Sequence, residues 1–213
     1  MSNECASIHK IFSDLERHNF PYDENQVPLN GIYILFEKEE QGYHKDRVVR
    51  VGTHTGKNQL RSRLKQHFLA KNKDRSIFRK NVGRAILNQR KDPYLELWEL
   101  DLTSKDARDA YLHTIDLEYQ SKIENEISQY INDNFSYAVF EVQNKEARLE
   151  LESKIISTIS SCNECKPSNT WLGSFSPKKK IVASGMWLVN ELYKTPFDSN
   201  GIESFSKLIK LAD

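Results

Sequence analysis

No part of this 213-residue chain approaches the roughly eighteen consecutive apolar residues that a membrane-spanning helix needs. A membrane partner is therefore not expected. The start, Met1-Ser2-Asn3-Glu4-Cys5, lacks the basic-then-apolar order of a secretory signal. A cytoplasmic protein is the expectation. Cysteine is scarce, with only Cys5, Cys162 and Cys165, too few for a disulfide framework and in keeping with a reducing compartment. There is neither an internal repeat nor a low-complexity segment, so the chain reads as one α/β domain rather than a string of modules. What it does hold is a globular complement: 38% hydrophobic residues, with ten Phe, nine Tyr and three Trp, too much core material for a disordered chain.

Cys162 and Cys165 form a CxxC without a second half in sequence. The plainer reading is reduced thiols in a loop. The sharper one is a zinc site, completed by Cys5 and His9 from a first helix.

The formal net charge of +1 conceals an asymmetry. Between Lys57 and Lys91 stand twelve basic residues and a single acid, Asp74; from Asp92 to Glu152 acids predominate. A basic block with His67, Phe68 and Phe78 interleaved is the footprint expected of phosphate-backbone binding. The competing reading is a surface answered by the acidic segment folded against it.

Ile8, Ile11, Phe12 and Leu15 fall on one face of a helix over 5–19. Gly31-Ile32-Tyr33-Ile34-Leu35-Phe36 reads as a buried strand, and Arg47 to Gly52 as its antiparallel partner across a long charged loop, 37–46. Leu60, Leu64 and Phe68 give an amphipathic helix over 59–70, on which Arg63 and His67, four apart, share a face. Further helices are expected over 76–89, over 106–131 as one long element, and over 145–160 behind the cap Asn144. A third strand is expected over 136–142 and a last helix from 203. The segment 94–102 is ambiguous between strand and helix.

Three groups carry candidate chemistry. Glu152 has Leu149, Ile155 and Ile156 as its helical neighbours, so its carboxylate lies toward a buried face and needs a cation, either an Arg or a metal ion. Arg63 offers a fork for phosphate oxygens, and His67, one turn on, a proton carrier; an ordinary polar pair is the bland alternative. Tyr33, mid-strand, is core unless an Arg or a cation lowers its pKa.

In order along the chain, Gly31-Ile32-Tyr33, Arg50-Val51-Gly52, Arg63 to His67, and Leu151-Glu152 with Ile155-Ile156 resemble the GIY-YIG nuclease family. Pro167-Ser168-Asn169 resembles a downstream polar motif of related restriction enzymes. The resemblance implies a small core with a three-stranded antiparallel or mixed sheet flanked by helices over 31–175, with a helical insertion at about 92–134. A helix and loop over 1–30 would precede this core and a C-terminal extension over 176–213 would follow it. It further implies Tyr33, Arg63, His67, Glu152 and Asn169 as catalytic, and Glu152 as ligand to Mg²⁺ or Mn²⁺. The substrate would be nucleic acid, DNA before RNA, tracked by Arg50, His54, Arg61, Lys65, Arg79 and Lys80. A homodimer is compatible with double-strand cutting, though no residue argues for it. One departure stands out: Arg50 occupies the place of the YIG tyrosine. The water-activating group would then be Tyr33, His67 or His54, or the chain is a nucleic-acid-binding module that has lost catalysis. A protein-interaction domain is the reading left if the resemblance is set aside.

Overall fold

The structure, a computed structural model, describes residues 2–21 and 23–212, with side chains as far as Lys210. Its strands are β1 Gly31–Gly42, β2 Lys45–Gly52 and β3 Phe135–Glu141. Its helices are α1 Ser2–Ser13, α2 Leu60–Phe68, α3 Ile77–Gln89, α4 Leu95–Glu99, α5 Lys105–Tyr111, α6 Leu117–Asn134, α7 Lys145–Ser160, α8 Lys179–Ser184 and α9 Ser199–Ala212. The strands form one antiparallel sheet in the order β2-β1-β3. The fold is mixed α/β, a three-stranded sheet flanked by helices.

The period-two alternation of β1 sorts the helices into two layers. Ile32, Ile34 and Phe36 point to one face and pack in a core with Cys5, Ile8 and Phe12 of α1, Ile155, Ile156 and Ile159 of α7, and Phe205 of α9. Tyr33 and Leu35 point to the other, among Leu60, Leu64 and Phe68 of α2, Phe78 and Val82 of α3, and Ile123 and Ile127 of α6. The same second core takes in Trp171, Leu172, Ile181 and Trp187 from the segment that follows α7.

The hairpin is longer and its connection tighter than the sequence suggests. Instead of a loop over 37–46, the strands continue to Gly42 and Lys45, and Tyr43 and His44 make the turn with φ of 54° and 59°, as a two-residue hairpin turn requires. The charged strand residues are tolerated because the C-terminal segment, α6 and β2 supply their partners. The Glu37 carboxylate accepts bonds from the indole N–H groups of Trp171 at 2.7 Å and Trp187 at 2.8 Å, and from the Tyr130 hydroxyl. Burial nonetheless pushes the Glu37 carboxyl above its ordinary range. Glu40 is buried against Arg47, whose Nε donates at 2.9 Å, and against the Ser168 amide and hydroxyl.

The expected single helix over 106–131 is broken into α5 and α6. Asp116 interrupts it by capping α6, its side chain accepting from Tyr119 N at 2.9 Å. The ambiguous 94–102 segment contains the short α4. The apolar stretch from Ile181 to Leu192 is helical only within α8, which Gly185 ends at φ 67°.

The acidic segment between α3 and β3 answers much of the basic block. Arg79, with a fully buried side chain, donates through Nε and Nη2 to the Glu124 carboxylate at 2.9 and 2.7 Å. Glu124 also accepts from Lys73 N. Arg84 forks onto Glu99 with two 2.6 Å bonds, and Lys80 donates to Glu99 O and lies near Asp74. Removing one member of such a buried pair strands the other charge. Glu124→Ala is therefore expected to lower stability by about 3–5 kcal/mol, read from urea unfolding midpoints. Replacing Arg79 and Glu124 together by Met and Leu should recover most of that. A single mutant within about 0.5 kcal/mol of wild type would show that the pair carries no such burden.

Candidate active site

The site is built around a tyrosine lying across a glycine. Tyr33 of β1 pairs in register with Gly52 of β2, and a Cβ at Gly52 would fall 2.3 Å from the Tyr33 hydroxyl. Only glycine lets the ring cross there. Gly31 is fixed similarly, since a Cβ would meet the Phe140 carbonyl oxygen at 2.3 Å.

Beside this pair β2 carries a bulge. Leu35 faces Arg50 but Phe36 faces Val48, so Val49 is the extra residue. Val48 and Val51 consequently join the α1/α7 core, while Val49 and Arg50 both turn toward the face occupied by Tyr33. Arg50 is 4% exposed. Its Nε donates to the Tyr33 hydroxyl at 3.1 Å, its Nη1 donates to Trp187 O at 2.5 Å, and the guanidinium lies 5.2 Å from the Phe78 ring centre. It makes no ion pair among the described residues.

Behind the tyrosine sits His67 of α2, fully buried, with Nε2 2.9 Å from the Tyr33 hydroxyl and Nδ1 2.7 Å from Ser76 Oγ. Burial, with Arg50, Arg63 and Arg79 nearby, holds its pKa well below the ordinary value, so the ring is neutral. The neutral ring is thus held between the Tyr33 hydroxyl, which accepts from Arg50 Nε, and Ser76 Oγ. Ser76 also caps α3, accepting from Arg79 N at 3.2 Å.

In front of this layer opens a cleft of about 420 Å³, lined by Thr53, His54, Thr55, Gln59, Ser62, Arg63, Gln66, Leu149 and Glu152. Arg63 is half-buried and donates to Gln66 Oε1 at 3.2 Å, with no ion pair among the described residues. Glu152 of α7 accepts from Thr53 N at 3.1 Å. Its carboxyl is pushed up to about 7 by burial, against the pull of Arg50, the Thr53 amide and Arg63. The neighbouring Glu150 is exposed and pairs with Lys154. His54 lines the cleft but both its nitrogens are engaged, Nδ1 at 2.6 Å from Gly56 O and Nε2 accepting from Gly31 N at 3.4 Å.

The structure thus brings Arg63, Glu152 and His54 to one cleft and sets Tyr33, His67 and Arg50 behind it. Asn169 is elsewhere: it is exposed, and its neighbour Ser168 bonds Glu40, seven residues along β1 from Tyr33 and roughly 20 Å away along the strand. Among the residues expected along nucleic acid, Arg50, Arg79 and Lys80 are buried. Arg61 donates to Val27 O and Lys65 pairs with Glu24. The exposed cations of the block are Lys57, Lys71, Arg75, Arg90 and Lys91 besides Lys65. Thr53 was not singled out from sequence, yet its amide holds Glu152 and its hydroxyl donates to Gly31 O at 2.7 Å. Its place directly after Gly52 was the available signal.

Comparison with known families matches residues 8–213 to the GIY-YIG domain. No curated protein and no solved structure matches.

Glu152 also sets a pH dependence. With a folded pKa of about 7 against an ordinary 4.5, the folded chain binds more protons than the unfolded one across that interval. The group's contribution is then present below pH 4.5 and lost as pH rises to 7. In buffer without divalent ions, Glu152→Gln should match wild type near pH 4 and exceed it at pH 8 by about 3 kcal/mol. Denaturant titration at both pH values checks this, and a difference independent of pH would contradict it.

Proposed function

The chain belongs to the GIY-YIG domain family, a family of nucleases that are generally metal-dependent, and from that premise we propose that its cleft hydrolyses phosphodiester bonds in DNA. The observation that carries the reading is the meeting, in one cleft, of an Arg63 guanidinium and a Glu152 carboxyl, neither bonded to an opposite charge among the described residues. An arginine of this kind is suited to phosphate oxygens and to the charge that develops on them during in-line displacement.

Glu152 fits a hard divalent cation, Mg²⁺ or Mn²⁺. It is the one carboxylate among the cleft-lining residues, and such ions bind through one or two carboxylates with water and phosphate oxygens completing the set. The ion would acidify a water and neutralise phosphate charge. Ionisation of Glu152 is a condition for holding it, so activity should rise as pH passes through about 7. Arg50, fixed by Trp187 O and Tyr33, favours that ionised form. Tyr33 and His67 act as positioning residues in this scheme: the phenol is 1% exposed and its hydrogen bonds run to Arg50 and His67 rather than into the cleft.

A second reading, a nucleic-acid-binding module on the same fold without catalysis, is favoured by one feature, Arg50 in the place of the YIG tyrosine. It requires salt-dependent binding and no cleavage under any divalent ion.

Plasmid DNA and RNA incubated with Mg²⁺, Mn²⁺ or chelator separate these readings. Glu152→Ala should abolish divalent-dependent cleavage while leaving DNA binding largely intact, and cleavage at the wild-type rate would remove the metal assignment. Arg63→Ala should slow cleavage by roughly 10²–10³-fold. Tyr33→Phe should lower the rate without moving its pH profile; a displaced profile would make Tyr33 the base instead.

A further inference from the structure

The cysteines absorbed by no part of that scheme gather at the opposite end of the hairpin from the cleft. Cys5 and His9 lie four apart on one face of α1, and Cys162 and Cys165 follow α7. All four are at most 2% exposed, and the thiols are free. The half-site that the CxxC lacks in sequence is supplied by α1 in space.

From this geometry we infer a structural zinc site, in which Cys5, His9 and Cys165 hold the ion and Cys162 closes the tetrahedron. The ligand atoms of Cys5, His9 and Cys165 lie within 4.8 Å of one another. Zn–S bonds of about 2.3 Å and Zn–N bonds of about 2.0 Å at tetrahedral angles place sulfur and nitrogen about 3.5 Å apart. Cys165 Sγ is 3.5 Å from His9 Nε2.

The orientation of the ring supports Nε2 as the ligand. Nδ1 lies 2.9 Å from Cys5 O, a bond that places the proton on Nδ1 and leaves the Nε2 lone pair toward Cys165, the arrangement typical of a metal-bound imidazole. The long 3.3 Å contact from Val48 N is the existing claim on that lone pair. Cys5 also contacts Cys162, and the Tyr43 hydroxyl is 2.9 Å from Cys162 Sγ, placed to donate to a thiolate there.

Gly42 makes the room. A Cβ on it would sit 3.0 Å from Cys165 Sγ and 3.2 Å from His9 Nε2. On binding, the three thiol protons leave to solvent and the thiolates take the ion. The consequence is mechanical: zinc ties α1 to the end of α7, the helix that carries Glu152.

The test is elemental analysis of the full chain, purified reduced and without chelator from zinc-supplemented medium. About one zinc per chain is expected, falling to a small fraction in Cys165→Ser and unchanged in Glu152→Ala, which separates this site from the cleft. Because the cysteine variant can fail to fold, a second measurement uses wild type alone. Co²⁺ added to reduced, zinc-depleted protein should give the intense thiolate charge-transfer and tetrahedral d–d bands, discharged by Zn²⁺. Zinc-free chain with no Co²⁺ bands would overturn the site, as would zinc lost from Glu152→Ala or a Cys5–Cys165 disulfide persisting under reductant.

Discussion

The arrangement turns on one buried charge. Arg50 lies inside the protein with no carboxylate bonded to it among the described residues, its guanidinium held by a phenol oxygen and a backbone carbonyl. An arginine cannot shed its proton to escape that position, so its field acts on whatever titrates nearby. It lowers the tendency of His67 to protonate and favours the ionised form of Glu152. The bulge at Val49 turns it onto this face, Gly52 clears the way for Tyr33 to meet it, and the carbonyl of Trp187 holds its far end. That last contact gives the C-terminal segment a part in the site. Trp187 and Trp171 are in turn held by the Glu37 carboxylate in β1.

Two layers of charge chemistry therefore coexist. In the interior, Arg79, Lys80, Arg84 and Arg47 are matched by acids from the segment between α3 and β3, by Asp74 and by Glu40 of β1, and serve to hold α3, α6 and the hairpin together. At the cleft, among the described residues, Arg63 is left without an ion pair and Glu152 without a bonded cation. Under the proposed function, a polyanion would meet the exposed half of the basic block and the Arg63 guanidinium, rather than the whole block that composition alone suggests.

The fold was legible where periodicity was strong. The alternation through Ile32 to Phe36, the stripe Leu60-Leu64-Phe68 and the cap Asn144 before α7 give their elements directly. The proximity of Arg63 and Glu152 was legible only through the order of motifs, because nothing local in either helix points to the other. Three features were hidden for physical reasons. A bulge has no composition of its own, so the inward turn of Arg50 could not be read. The inward charges Glu37 and Glu40 look like loop residues until the distant Trp171, Trp187 and Arg47 are placed beside them. The pairing of Arg79 with Glu124, forty-five residues apart, made an interior ion pair resemble a free basic surface. Asn169, by contrast, was carried by motif resemblance alone, and its exposed loop lies at the other end of the hairpin.

In the proposed reaction a divalent ion on Glu152 meets the scissile phosphate. The most direct measurement is cleavage of DNA made with phosphorothioate linkages, each configuration in turn, in Mg²⁺ and in Mn²⁺. Mg²⁺ binds sulfur poorly and Mn²⁺ accepts it more readily. With the ion on Glu152, one configuration is cut slowly in Mg²⁺ and recovers in Mn²⁺, with no recovery in Glu152→Ala. Both configurations cut in Mg²⁺ as fast as ordinary DNA, or no cleavage of any substrate, would contradict it.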